Sequence, residues 1–229
     1  MSVRNIVIGV VIVVLLIIVI RWFWAANTKL TGLNDAKKVT KIPVTDLAQS
    51  NASNYAYSVW FYIDDWSYRY GEPKIILGRL DGDLNPSPSI VLGAIENNLK
   101  VETTVYPSSQ STTSSSHTCN VDNVPVQKWV NVIISLYGRT LDVYIDGKLV
   151  RTCVLPGVAK IANNAPVYIT PQGGFSGYTS NINYYANSLN PQEAYNIYRG
   201  GYGGSGLDFP YKLKIEYLKD GKEIGGLTI

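Results

Sequence analysis

Residues 126–154 read VQKWVNVIISLYGRTLDVYIDGKLVRTCV, and this stretch decides the fold. Three runs, Trp129–Tyr137, Leu141–Ile145 and Leu149–Val154, are short and rich in β-branched and aromatic residues, as strands are and helices are not. Gly138-Arg139 separates the first two, and Asp146-Gly147 separates the second two. An Asp-Gly pair between apolar runs is a strong signal for a two-residue hairpin, because both central positions of a type I′ turn need φ > 0. The stretch therefore predicts two consecutive hairpins.

Upstream, Tyr55, Tyr57, Val59, Phe61 and Ile63 alternate with Ala56, Ser58, Trp60 and Tyr62, a strand with large side chains on both faces. Further β-like runs are Lys74–Gly78, Ser89–Ala94, Leu99–Tyr106, Val167–Thr170 and Gly177–Tyr185. Turn chemistry at Asp81-Gly82, Asn97-Asn98 and Gly173-Gly174 separates them. One helix is predicted, Pro191 to Arg199, with Asn190 as its cap and Pro191 at its first position. Many closely spaced strands with one late helix predict an all-β, antiparallel β-sandwich over residues 55–204.

The flanks read differently. Residues 27–54 are polar and turn-rich, as expected of a tether. Pro107–Thr118 (PSSQSTTSSSHT) is a low-complexity loop with nothing to bury, so mobility is expected there. The glycine-rich run Gly200–Gly206 reads as a hinge, followed by a C-terminal β-hairpin tail over residues 205–229. Leu213, Ile215 and Tyr217 alternate there with Lys212, Lys214 and Glu216, and Asp220-Gly221 turns the chain back. A hairpin with a free edge and one apolar face should dock on the sandwich or on a partner through Leu213, Ile215 and Tyr217.

At the other end, Ile6 to Ile20 is an unbroken apolar run that includes Leu15 and Leu16. As a helix it spans ~22 Å, short of the roughly 30 Å hydrocarbon core. Counted through Ala26 the span is ~31 Å, with Arg21 reaching toward headgroups and Trp22 and Trp24 at the interface. A cleaved signal peptide needs small residues at the first and third positions before the cut, and for a cut after Ala26 or Ala25 the third position is Trp24 or Phe23. Residues 1–26 therefore read as a transmembrane anchor, and the lipid bilayer as a partner. Arg21, Lys29, Lys37, Lys38 and Lys41 follow the anchor and only Arg4 precedes it, so the charge rule favours a cytosolic C-terminal domain.

Composition excludes several classes. The chain carries 20 Lys+Arg and 17 Asp+Glu, and with Arg4 and Arg21 set aside the balance is nearly even. That argues against a nucleic-acid partner, which would need a clustered positive excess. Two cysteines and one histidine cannot build a zinc site with four protein ligands of the usual types.

Val126–Val154 resembles the hairpin pair of concanavalin A-like, laminin-G-like jelly rolls, in which a tryptophan opens a strand and an aromatic precedes an Asp-Gly turn, here Trp129 and Tyr144. Gly174–Gly200 (GFSGYTSNINYYANSLNPQEAYNIYRG) is similar to the closing strand and short helix of that family. With Tyr55–Asp64 and Ile90–Val101, the resemblance covers residues 55–204. Together with the anchor, Cys119 and Cys153, the chain resembles virion-associated jelly-roll proteins of large cytoplasmic DNA viruses. That resemblance implies a non-enzymatic minor capsid or virion membrane protein linking an internal membrane to the capsid shell, with capsid or other virion proteins as partners. The alternative is a membrane-anchored, lectin-like surface adhesin with a glycan partner, which would be exported and would carry glycan at Asn51 in Asn51-Ala52-Ser53.

Catalytic chemistry finds little support. Hydrolases on this sandwich pair an acid with a nucleophile on one Glu-x-Asp-x-(x)-Glu strand. Asp142 and Asp146, and Glu96 and Glu102, are spaced otherwise and lack a third acid in register. His117 lies in the serine-rich loop with no Gly-x-Ser-x-Gly elbow to serve it. Gly201-Tyr202-Gly203-Gly204-Ser205-Gly206 matches Gly-x-Gly-x-x-Gly but does not join a strand to a helix. Asp81, Asp83 and Asn85 have the acid spacing of a calcium loop, although Pro86 and Leu92 replace the glycine and glutamate of an EF-hand. Jelly rolls of the resembled family sometimes hold one calcium, and the other reading is a polar turn whose aspartates cap their own backbone. No cofactor is required by either reading. Cys119 and Cys153 are expected to form a disulfide between neighbouring strands near one end of the sandwich; large cytoplasmic DNA viruses commonly supply a thiol oxidase.

Overall fold

The computed structural model describes residues 12–17, 28–107, 113–203, 214–219 and 222–228. In chain order the strands are β1 (Lys29–Thr31), β2 (Asn34–Asp35), β3 (Thr40–Ile42), β4 (Tyr55–Asp65), β5 (Lys74–Leu80), β6 (Pro86–Leu92), β7 (Leu99–Tyr106) and β8 (Ser115–Val121). They continue with β9 (Trp129–Tyr137), β10 (Thr140–Ile145), β11 (Lys148–Val154), β12 (Val158–Ala159), β13 (Val167–Ile169) and β14 (Ser176–Tyr185). Helix α1 (Pro191–Arg199) follows, then β15 (Lys214–Lys219) and β16 (Lys222–Thr228).

Two antiparallel sheets face each other. The first runs β1-β14-β4-β9-β10-β11, with β2 also on β14; the second runs β12-β7-β6-β5-β13-β3, with β8 also on β7. Alternation places Tyr55, Tyr57, Val59, Phe61 and Ile63 of β4 between the sheets, where all are buried with Ile90, Leu92, Leu99, Val101 and Val105 of the second sheet. Charged side chains are buried as well, Lys74 and Arg79 of β5 among them: Arg79 is 2% exposed, and its Nε–H donates to the Ala165 carbonyl at 3.2 Å. Burial pushes the Tyr55 and Tyr57 hydroxyls up, against the pull of Arg79.

Helix α1 lies on the outer face of the first sheet, where Ala194 packs against Ile133 and Tyr144. It starts with a full capping box: the Glu193 N–H donates to Asn190 Oδ1 (3.0 Å), and the Asn190 N–H donates to Glu193 Oε2 (2.8 Å). The Asp146-Gly147 turn reaches up to the helix. Gly147 has φ +73°, and a Cβ there would meet Tyr198 Cβ at 3.0 Å.

Several expectations are corrected. Residues 27–54 are not a free tether: β1 and β2 pair with β14, β3 pairs with β13, and Ala36, Ile42 and Leu47 are buried in the core. Their apolar residues are too scattered to show a period, and the backbone ladder fixes them instead. The serine-rich loop is likewise shorter than expected, because Ser115–Val121 forms β8, paired with β7 from Leu99↔Val121 to Val105↔Ser115. His117 thus sits on a strand opposite Thr103. The start of the glycine run is held rather than hinged: Ser180 Oγ donates to the Tyr202 carbonyl (2.7 Å) and Asn181 Nδ2 to the Gly201 carbonyl (2.9 Å).

The disulfide joins Cys119 to Cys153 as expected, but not between neighbouring strands. Cys119 is on β8 of the second sheet and Cys153 on β11, the edge of the first, so the bond staples one sheet to the other. The tail is a two-stranded sheet in which Ile215 pairs with Leu227 and Tyr217 with Gly225; Leu213 lies outside the described residues. Residues 12–17, which include Leu15 and Leu16, are helical and exposed. Ile6, Ile20, Arg21, Trp22 and Trp24 lie outside the described residues, among which no helix is long and apolar enough to cross a membrane.

Candidate functional site: an aromatic row on the outer sheet face

The residues of β4 that alternate with the core side chains point outward. Tyr62 pairs with Trp129 of β9 on one side and Tyr178 of β14 on the other, so three aromatics form one cross-strand row. The Tyr62 and Trp129 ring centroids are 5.8 Å apart. Beyond α1 the chain crosses back over this face and lays Tyr202 flat on Trp129, with centroids 4.5 Å apart and planes within 4°. Trp60, two residues before Tyr62, contacts Tyr202 and stacks on Tyr198 of α1 at 5.6 Å. The Ser180 and Asn181 side chains hold the returning backbone, which fixes the Tyr202 ring.

The outer edge of the row stays open. Tyr178 and Tyr202 are each 48% exposed and Leu33 is 67% exposed. Leu33, Tyr62, Trp129 and Tyr178 line a shallow groove of about 290 Å³. Asp35 pairs with Tyr178 and continues the row with a carboxylate, which accepts the Lys37 N–H at 3.0 Å. An exposed groove lined by rigid aromatic faces can seat an apolar side chain of a protein or the CH face of a sugar ring.

Sequence alone does not show this row: seventeen tyrosines against four phenylalanines suit half-wet aromatic surfaces and the strand positions of a sandwich equally well. Its members come from three strands and a loop, and only the register brings them together.

The other candidate residues have different surroundings. In the Asp81 loop, Oδ1 accepts the N–H groups of Asp83 (3.0 Å) and Asn85 (2.8 Å), while Oδ2 accepts Lys160 Nζ at 2.7 Å. Burial alone would raise the Asp81 carboxyl, but these bonds, Lys160 foremost, hold it down at about 2. The Asp81 charge is thus matched by an ammonium where calcium would need it, and Asn85 Nδ2 also points at Asp81 Oδ2 (3.1 Å), so the loop does not fit a calcium ion. Among the described residues no group of three or more His, Cys, Asp or Glu could hold a metal. Asp142 accepts the Thr152 hydroxyl (2.6 Å), whereas Asp146 accepts Lys128 Nζ (3.1 Å) and the Asn131 N–H (2.9 Å). Each carboxylate has its own structural partners.

Comparison with known proteins agrees with the two-sheet topology. No curated protein matches the chain. Solved structures of similar fold include the binding domain of botulinum neurotoxin DC in complex with rat synaptotagmin II, with TM-score 0.53 and 14% identity over 78% of this chain and 45% of that one. The same neurotoxin's binding domain in complex with SialylT gives 0.52 and 16% over 73% and 42%. The serotype D ligand-binding domain in complex with N-acetylneuraminic acid gives 0.50 and 16% over 71% and 42%. This chain spans less than half the length of these structures, and at such identity the likeness is one of fold. The family model of the concanavalin A-like lectin/glucanases superfamily matches residues 34–194, from β2 into α1. That span contains β2 to β14 and the first turn of α1, and the chain belongs to the concanavalin A-like lectin/glucanases superfamily.

Proposed function

We propose that the chain is a membrane-anchored structural protein of a virion, in which a binding sandwich without catalytic machinery links an internal membrane to the capsid shell. The observation that carries this reading is the position of the aromatic row. The sandwich begins at Thr28, immediately after the apolar segment 6–26, and β1 enters beside the Tyr185 end of β14. The Tyr178–Tyr62–Trp129 row lies toward the opposite end of the same strands, six residues from Ala56 to Tyr62 along β4, or roughly 20 Å. An anchor at one end and an open apolar groove toward the other suit a bridge between a bilayer and a protein layer. A photo-crosslinking amino acid at position 178 tests it in assembled particles. Adducts with a shell protein are the expected result; adducts with lipid alone, or none, overturn it.

A glycan-binding reading rests on the same row, because Asp35 beside the Tyr178 ring offers a sugar both a hydrogen-bond acceptor and a stacking face. The groove itself favours protein, since its lining is aromatic and aliphatic. Trp129 fluorescence titrated with N-acetylneuraminic acid and with neutral hexoses separates the two readings, and a saturable, Tyr178-dependent response would favour the glycan.

A further inference from the structure

We infer that the end of the sandwich formed by Tyr137, Val154 and Val158 rests on the headgroup layer of the bilayer that holds the chain. The inference depends on the anchor reading of residues 6–26 and adds an orientation that this reading alone does not contain.

The argument is one of chain length. Only Asn27 separates Ala26 from Thr28, and two peptide steps reach at most ~7 Å. Thr28 is already part of the sandwich, since the Tyr184 N–H donates to its carbonyl at 2.8 Å. Tyr184 pairs with Tyr57, and Tyr57 with Ile134; two residues further along, Tyr55, Leu136, Leu141 and Cys153 form the last full row of the sheet. β1 runs antiparallel to β14, so it enters from the side of that last row. The row therefore lies ~7 Å beyond Thr28 in the direction from which the chain arrives. A headgroup layer is roughly 5–8 Å thick on each side of the hydrocarbon. The short connection and the sheet direction together bring this end to the bilayer.

The side chains there suit such a surface. Tyr137 is 69% exposed, Val154 67% and Val158 55%. Tyr137 and Val154 both flank Thr140 in register, so they share the rim of the turn through Gly138-Arg139. Tyrosine at a bilayer interface keeps its ring in the apolar boundary and its hydroxyl in water. Arg139 is exposed between them and is held by two bonds from its guanidinium to the Leu155 carbonyl (2.9 and 2.7 Å), which sets a fixed positive charge at the headgroup level.

Tyr70 provides an internal control, being 61% exposed in the connection after β4, at the opposite end of the sandwich. The test is hydroxyl-radical footprinting of the full chain in phosphatidylcholine–phosphatidylserine vesicles, read by mass spectrometry after the vesicles are floated. The expected result is that Tyr137 is oxidised several-fold more slowly than Tyr70. Equal oxidation in protein that floats overturns the orientation while the anchor stands. Protein that stays at the bottom of the gradient overturns the anchor, and the orientation with it.

Discussion

Breaking the bond between Cys119 and Cys153 should lower the stability of the domain by far more than the loss of two small side chains. The two cysteines are 34 residues apart, so in the chain-entropy model the cross-link restricts the unfolded chain by about 3.8 kcal/mol at 25 °C. For a domain of this size that corresponds to a fall of roughly 8–15 °C in melting temperature. The perturbation is made twice, by reduction of the native chain and by the double substitution Cys119→Ala/Cys153→Ala. Melting is followed by circular dichroism on the full chain in detergent. The structure adds a local signature. β11 is the edge strand of its sheet, nearly all its side chains are exposed, and Cys153 is its covalent tie to β8. Amide exchange should therefore quicken first in Lys148–Val154, ahead of β4 and β9. Melting curves that coincide for oxidised, reduced and double-alanine protein would refute the reasoning.

Other outcomes follow from single contacts. Gly147→Ala places a Cβ at φ +73° and 3.0 Å from Tyr198 Cβ, so it should cost at least ~1–2 kcal/mol and release α1 from the sheet, seen as a lower melting temperature and faster exchange in residues 191–199. Asn190→Ala removes the cap of α1 and should cost ~1 kcal/mol in a chemical denaturation curve. The Asp81 carboxyl titrates at about 2 in the folded protein, below its unfolded value near 4, so its stabilising effect is present above pH ~4 and lost as pH falls toward 2. Asp81→Asn should flatten the stability profile in that window and leave a variant less stable than the native chain at pH 7; an unchanged acid limb would rule out this ion pair as a contributor.

The strands that announce themselves are those in which the side-chain pattern and the burial agree. β4 carries large side chains on both faces because both are covered, one by the second sheet and the other by α1 and the chain after it, and the Asp146-Gly147 turn is legible because both residues have positive φ, +48° and +73°. α1 begins where the Asn190, Pro191 and Glu193 chemistry places it. β8 was hidden because its residues, SSHTCNV, are mostly exposed: the ladder to β7 orders them, and Cys119 is its buried contribution. β1, β2 and β3 are two or three residues long, below the length at which any period can be seen. The aromatic row is invisible for a different reason. Tyr62, Trp129 and Tyr178 are distant in sequence, and a one-residue slip in either pairing would scatter them across both faces.

The placement of β14 has a consequence for the order of events during synthesis. β14 pairs with β1, β2 and β4, so the N-terminal strands of the first sheet wait for one of the last strands to be made. About 120 residues separate the end of β4 from the end of β14, and at ~5–20 residues per second the ribosome needs roughly 6–24 s to deliver them. β9 can cover one edge of β4 earlier, but the other edge, beside Tyr57, Val59 and Phe61, stays unpaired throughout. Such long-range closure is slow even once the whole chain is free. A nascent chain halted before Ser176 carries an apolar strand whose second edge has no partner, which makes the unfinished protein, more than the finished one, the species prone to aggregate.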